Sequence, residues 1–332
     1  MHAPTAESLA ERLLRADRAA LARLISWAEN GDARFSAALD RVYSRVGRAA
    51  RTGFTGPPGA GKSTLVNEVA KAYRGRGATV GVLAVDPSSP FSGGALLGDR
   101  IRMEERTLDP GVFIRSMASR ESHGGVAQAT VDACDVMDAF GLAEILIETV
   151  GVGQAEYDVV AVADTVVVVL CPGAGDGIQA MKAGLLEVAD VLVVNKSDLP
   201  GADRLARDLD EAVHVRFGRE QAFPVPVVSL CASSGEGVAE LLEAVDGHRA
   251  WLAARDLPAA RLAKRAERVR KTVDAEVSLA LWGRRGWGAF VAAELAAGLA
   301  PHRVARELGR RVSETLPPAP GAPESNFRGE RA

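Results

Sequence analysis

The eight residues Gly56-Pro-Pro-Gly-Ala-Gly-Lys-Ser63 have the types and spacing needed to hold a phosphate chain. Gly56, Gly59 and Gly61 let backbone N–H groups curl toward an anion without Cβ obstruction, and Pro57, Pro58 and Ala60 occupy the variable positions. Lys62 carries the charge that reaches β and γ phosphates, and Ser63 offers a hydroxyl to Mg²⁺. A helix opening beside Thr64 would add the partial positive charge of its N-terminus. The pattern works only between a strand and a helix. The run Arg51 to Thr55 before it reads as a strand, and Thr64 to Tyr73 after it has helical spacing, so that setting is predicted on both sides.

The base is read from Asn195-Lys-Ser-Asp198, which ends the apolar run Asp190 to Val194. A carboxylate only accepts, and guanine presents two adjacent donors, so Asp198 suits guanine. Adenine lacks the amine on that edge and would leave a buried carboxylate unpaired, a costly mismatch. Asn195 is expected to tie this loop to the phosphate loop, with the stem of Lys196 against the base. A further predicted strand, Pro226 to Leu230, leads into Cys231-Ala-Ser-Ser-Gly-Glu-Gly237. GTPases usually carry Ser-Ala at this place, and the Ala amide meets the guanine oxygen. With Cys231 in place of Ser, the contact through Ala232 survives and the hydroxyl contact to the Asp198 loop is expected to weaken. Ser233 completes the predicted loop.

Glu148 ends a third predicted strand, Ala143 to Ile147, and opens Glu148-Thr-Val-Gly151, where most GTPases place Asp-x-x-Gly. Two further acids stand at loop positions able to approach a metal. Asp86 ends the run Thr79 to Val85, and Asp99 lies in Gly93-Gly-Ala-Leu-Leu-Gly-Asp-Arg100, a segment suited to a switch. Mg²⁺ prefers hard oxygen ligands and keeps waters, so a hydroxyl and a few carboxylates suffice. Taken alone, Asp99 reads equally well as a solvated loop acid or helix cap.

The stretches Ala84-Val-Asp-Pro-Ser-Ser-Pro-Phe, Leu96-Leu-Gly-Asp-Arg-Ile-Arg-Met and Glu148-Thr-Val-Gly-Val-Gly-Gln-Ala-Glu closely resemble the MeaB/ArgK family. The likeness runs from about Ala20 to about Leu308. It implies a P-loop GTPase of the SIMIBI class, similar to MMAA proteins, that chaperones a cobalamin-dependent acyl-CoA mutase. Ser63, Asp86, Asp99 and Glu148 would then surround Mg²⁺, with GTP as substrate and GDP as product. A later family switch is matched by Pro172-Gly-Ala-Gly-Asp-Gly-Ile-Gln-Ala-Met-Lys182. Gln179 and Lys182 would swing toward the nucleotide when the mutase docks, the cation acting as an arginine finger does. Gly177 replaces the family's usual acid. By its residues alone, Lys182 also reads as an exposed helix lysine. The family implies a homodimer through the C-terminal helices, slow basal hydrolysis stimulated by the mutase, and the mutase's adenosyltransferase as a second partner.

The elements that must position these groups are legible in outline. Residues 1–50 read as amphipathic helices, with Leu9, Leu13, Leu14, Leu21, Leu24 and Ile25 at helical spacing. Residues 51–253 alternate strands and helices, which predicts an α/β domain with a mainly parallel, doubly covered sheet. Residues 254–315 read as a helical dimerisation arm, its apolar side formed by Ala260, Leu262, Ala263, Ala266, Val269, Val273 and Val277. Trp282, Trp287 and Phe290 suit either a core or an interface. Residues 316–332 are rich in Pro and Gly and are expected to be disordered.

With a net charge of −3 over 332 residues and 47% hydrophobic content, the composition is that of an ordinary globular enzyme. No apolar stretch approaches the ~20 residues of a membrane span. The basic face between Arg261 and Lys271 is broken by Glu267 and lacks interleaved aromatics, which argues against nucleic acid. The start lacks the blocks of a signal peptide, and Cys134, Cys171 and Cys231 are isolated, so a reducing cytoplasm is expected. The alternatives are a metal-delivery GTPase of the HypB or UreG type, a kinase for a transport protein, and a non-hydrolysing scaffold. Asn195-Lys-Ser-Asp198 speaks against an ATP-using kinase.

Overall fold

In the computed structural model the described residues are 4–87, 109–119, 125–149, 155–173, 185–217, 223–284 and 286–315. They form two compact units, Met1–Arg268 and a second beginning at Val269.

The first unit is a seven-stranded sheet with every strand parallel. Its strands are β1 (Ala50–Thr55), β2 (Val80–Pro87), β3 (Val112–Ser119), β4 (Glu144–Thr149), β5 (Thr165–Leu170), β6 (Val191–Asn195) and β7 (Val227–Leu230), in the spatial order β3-β2-β4-β1-β5-β6-β7. Parallel strands need long crossovers, and covering both faces makes their interiors continuously apolar. Thr165-Val-Val-Val-Val-Leu170 is buried at every position.

Alternate residues feed two cores. Ile145 and Ile147 face one and Leu146 the other, as the two-residue period requires. The face holding Leu146 is covered by α4 (Lys62–Gly75) and, after three intervening helices given below, by α8 (Val238–Ala253), through Leu65, Val66, Val69, Leu241 and Val245. On the opposite face lie α1 (Ala6–Leu14), α2 (Arg18–Asn30), α3 (Arg34–Val42), α5 (Gly125–Phe140) and α6 (Ala155–Val162). Helix α7 (Ala202–Phe217) packs beside β6 and β7. Thr5 and Asp17 cap α1 and α2 by accepting backbone N–H bonds. Leu9, Leu13, Leu21, Leu24 and Ile25 are buried, whereas Leu14 turns outward. It lies one residue past Leu13, about 100° around the helix.

Polar bonds fasten the helices to the sheet's amino edge. Asp138 of α5 accepts from the Gly47, Arg48 and Ala49 amides at 2.7, 3.2 and 3.0 Å, just before β1. Buried Arg51 donates to Asp135 at 2.7 Å. The first turns of α9 (Leu257–Leu279) are held by Arg261, which donates to the Asp164 carboxylate and to the Gly47 and Ala49 carbonyls. Lys264 donates to the carbonyls of Val160 and Ala163, the C-terminal end of α6.

The second unit contains the remainder of α9, a wide turn at Ala280–Arg284, α10 (Trp287–Ala296) and α11 (Pro301–Thr315). Trp287 and Phe290 meet edge to face at 5.6 Å, and Val304 is buried, while Trp282 is half exposed. Val269, Val273 and Val277 are exposed at successive helical turns. The tail predicted to be disordered, residues 316–332, lies outside the described residues. No described helix is long and apolar enough to cross a membrane.

Helix α6 lies so close to β1 that a Cβ at Gly53 would fall 2.3 Å from Val159 Cγ2 and 3.0 Å from Ala163 Cβ. Gly53→Val should therefore destabilise the protein by ~1–3 kcal/mol, the usual cost of overpacking a core. Urea denaturation measures it, and an unchanged midpoint would contradict this helix placement.

Candidate functional site

Because the strands are parallel, all their carboxyl ends meet at one edge, and the predicted loops gather there. β1 is central and runs into Gly56. That residue has φ 137°, and a Cβ on it would lie 2.1 Å from the Val169 carbonyl oxygen of β5. Gly61 has φ 90°, and its Cβ would lie 2.3 Å from Asn195 Nδ2. Both positions demand glycine on conformation and on space. The backbone between them curls into a cradle, followed at once by α4, whose N-terminal turn begins at Lys62 and continues through Ser63 and Thr64. An anion fits that cradle.

Lys62 is buried and its ammonium is folded over the loop, donating to the carbonyls of Gly56 at 2.7 Å and Pro57 at 3.0 Å. Ser63 Oγ donates to Glu148 Oε1 at 2.5 Å. Register explains this meeting, since Phe54 of β1 pairs with Glu148 of β4 and the cradle begins two residues beyond Phe54. Glu148 therefore sits within the strand, not after it, and is buried. A hydroxyl and a carboxylate converging beside an anion cradle are a hard-oxygen donor set that fits Mg²⁺. The Thr149 hydroxyl, 3.2 Å from Thr55 Oγ1, closes the floor between β1 and β4. Sequence reasoning misses both threonines, whose only signal is their place at strand ends.

The Asp86 backbone lies within β2, one residue before its end and two beyond Ala84, which pairs with Glu148. That brings three of the predicted acidic or hydroxyl positions to one edge, with the Asp86 side chain outside what is described. Asp99, Gln179 and Lys182 also lie outside the described residues.

On the other side of the cradle, Asn195 is 2% exposed and joins three loops. Its Nδ2 donates to the Ala60 carbonyl at 2.7 Å, and its Oδ1 accepts from the Lys196 and Ala232 amides at 2.8 and 3.0 Å. The Ala232 amide, expected to face a guanine oxygen, is thus given to Asn195. Lys196 has φ 59° and extends across the cradle, its Nζ donating to the Gly59 carbonyl at 2.7 Å. The weakened contact expected at Cys231 is present as a thiol bond. Cys231 Sγ donates to Asp198 Oδ1 at 3.2 Å and lies 3.1 Å from Ser233 Oγ. The described residues expected to meet the phosphates, the metal and the base therefore lie around one cradle.

Similarity to known proteins gives the family. The family model described as "Methylmalonyl Co-A mutase-associated GTPase MeaB" matches residues 21–285. This chain belongs to the MeaB family. It is 46% identical over 279 residues to a Pyrococcus abyssi protein described as a GTPase, covering 83% of this chain and 84% of that one. The MeaB-family chain is also 35% identical over 283 residues to GTPase ArgK of Escherichia coli K12, with 83% and 85% coverage. Among solved structures, one described as an LAO/AO transport system kinase superposes with a TM-score of 0.74 at 26% identity, covering 94% of this chain and 99% of that one.

Asn195→Ala would leave the Ala60 carbonyl and Ala232 amide without their side-chain partner in a buried place. A loss of ~1–3 kcal/mol in unfolding free energy is expected for such unpaired groups. Guanidinium unfolding measures it, and wild-type stability in the variant would contradict this view of the loop junction.

Proposed function

We propose that this MeaB-family GTPase hydrolyses GTP to gate cofactor loading onto a cobalamin-dependent acyl-CoA mutase and to protect that mutase from inactivation. One observation carries the nucleotide half of this reading: the Asn195–Asp198 loop is hydrogen-bonded to the phosphate cradle, with an acceptor-only carboxylate three residues from the junction. The family match supports the mutase half, because the description of the family names that partner.

In this reading Gly56 to Thr64 hold the phosphates, Lys62 moves from its own loop's carbonyls to the β and γ oxygens, and Asp198 accepts from both guanine donors. Cys231, Ala232 and Ser233 wall the base, and Lys196 covers it. Ser63, Glu148, Asp86 and Asp99 would hold Mg²⁺, which offsets the charge developing on the phosphoryl oxygens. Gln179 and Lys182 complete the charge complement when the mutase docks. Energy coupling follows from loops whose positions differ between GTP and GDP, a difference that a partner's surface senses. The exposed stripe of Val269, Val273 and Val277 supports a homodimer through the second unit. The mutase's adenosyltransferase is a second partner in the same handover.

A kinase reading has one finding behind it, the superposition on a protein described as a transport system kinase. The two readings differ in phosphate acceptor, water for the GTPase and a protein side chain for the kinase.

Basal turnover should be slow and should rise on adding the cognate mutase. Lys182→Ala should remove most of that rise, at least about tenfold, as loss of a finger cation does. Its GDP affinity should stay within about twofold, because a charge acting only in the stimulated transition state adds little to ground-state binding. Steady-state phosphate release with and without mutase measures this, and full stimulation of the variant would overturn the assignment of Lys182.

A further inference from the structure

The base-side loop differs from the usual GTPase pattern at one atom, and that atom is in contact with the carboxylate on which base selection depends. Cys231 Sγ donates to Asp198 Oδ1 at 3.2 Å. Its single proton is then committed, so the Ser233 hydroxyl, 3.1 Å away, is the donor to sulfur in the second contact. The backbone around the thiol is fixed. The Cys231 amide donates to the Glu236 carbonyl at 3.0 Å, and its own carbonyl accepts from the Ser234 and Gly235 amides. The end of the turn is equally constrained, because a Cβ at Gly237 would lie 2.6 Å from Leu230 Cβ. Cys231 is 6% exposed. The thiol therefore reaches Asp198 from a rigid base and has little room to point elsewhere.

A thiol is a weak donor, and a hydroxyl bond to a carboxylate is shorter and stronger. Asp198 has only two oxygens with which to meet guanine's paired donors, so the group bonded to one of them governs how well the carboxylate is oriented. Ser233, by donating to sulfur, polarises the S–H toward Asp198 and supports the same line of bonds.

We propose that Cys231 is a positioning residue that holds Asp198 for guanine more loosely than a serine would, so that this chain selects guanine while releasing nucleotide quickly. The inference rests on the guanine-reading assignment of Asp198. A protein that must cycle as its client docks and leaves gains from fast release, and the sulfur supplies it without altering the phosphate cradle.

The test uses the full chain and compares GDP with IDP, which lacks the exocyclic amine that Asp198 would read. Dissociation constants and release rates are measured for wild type, Cys231→Ser, Cys231→Ala and Asp198→Asn, with melting temperatures confirming folding. Cys231→Ser should slow GDP release about threefold to tenfold and raise the preference for GDP over IDP. Cys231→Ala should move both quantities the other way. IDP binding should change less in each, which a merely structural effect would not produce. Both Cys231 variants within about twofold of wild type, with the preference collapsed in Asp198→Asn, would overturn the proposal and leave the guanine reading standing. A preference unchanged in Asp198→Asn would remove the guanine reading and this inference with it.

Discussion

The site depends on Asn195. Its amide bonds at once to the phosphate cradle, to its own loop and to the loop after β7. The amide has two donors and an acceptor with two lone pairs, and three of these are satisfied by backbone groups from the three loops. Because the residue is buried, no water replaces a broken bond, and the group left behind stays unpaired. The constraint also acts in reverse. Asn195 occupies the space that a Cβ on Gly61 would need, so the glycine and the asparagine require each other. The Asn195–Asp198 loop is thereby tied by hydrogen bonds from one side chain both to the cradle and to the loop after β7.

Strand order then divides the chemistry. β1 and its cradle stand at the centre, β4 and β2 bring Glu148 and the end of Asp86's strand on one side, and β6 and β7 bring the Asn195 and Cys231 loops on the other. Hydroxyl and carboxylate meet on the side proposed for Mg²⁺, while amide, carboxylate and thiol meet on the side proposed for the base. The two sides are linked through β1, whose residue Gly53 admits α6 against the sheet. That helix follows Glu148-Thr149 in sequence, and its far end is capped by Lys264 of α9.

Much of this is legible in the sequence, for particular reasons. The phosphate loop, Asn195-Lys-Ser-Asp198 and Glu148 can be found because each chemistry fixes residue type and spacing together. The strands before them follow from short runs bounded by loop residues. Less can be read where geometry is made by contacts distant in sequence. Asp138 accepting three amides before β1 joins residues about 90 positions apart, and nothing in its neighbourhood marks it. Spacing alone tolerates Leu14 on the inner side beside Leu13, and only the packing of α1 shows it outside. The usual GTPase pattern gives the Ala232 amide to the base; its pairing with Asn195 depends on how close β6 brings the two loops. A cysteine at position 231 implies a weaker contact, but the direction of its thiol is set by the turn that fixes it.

The central claim is that a carboxylate held beside the phosphate cradle reads guanine. Calorimetric titration of the wild-type chain with GDP and ADP, both with Mg²⁺, tests it most directly. Asp198 is exposed in this structure, and a base lacking the two donors would cover that carboxylate without pairing it, which predicts GDP binding at least about a hundredfold tighter than ADP. Equal affinities for the two nucleotides would contradict the account, because Asp198 would then contribute nothing to the choice of base.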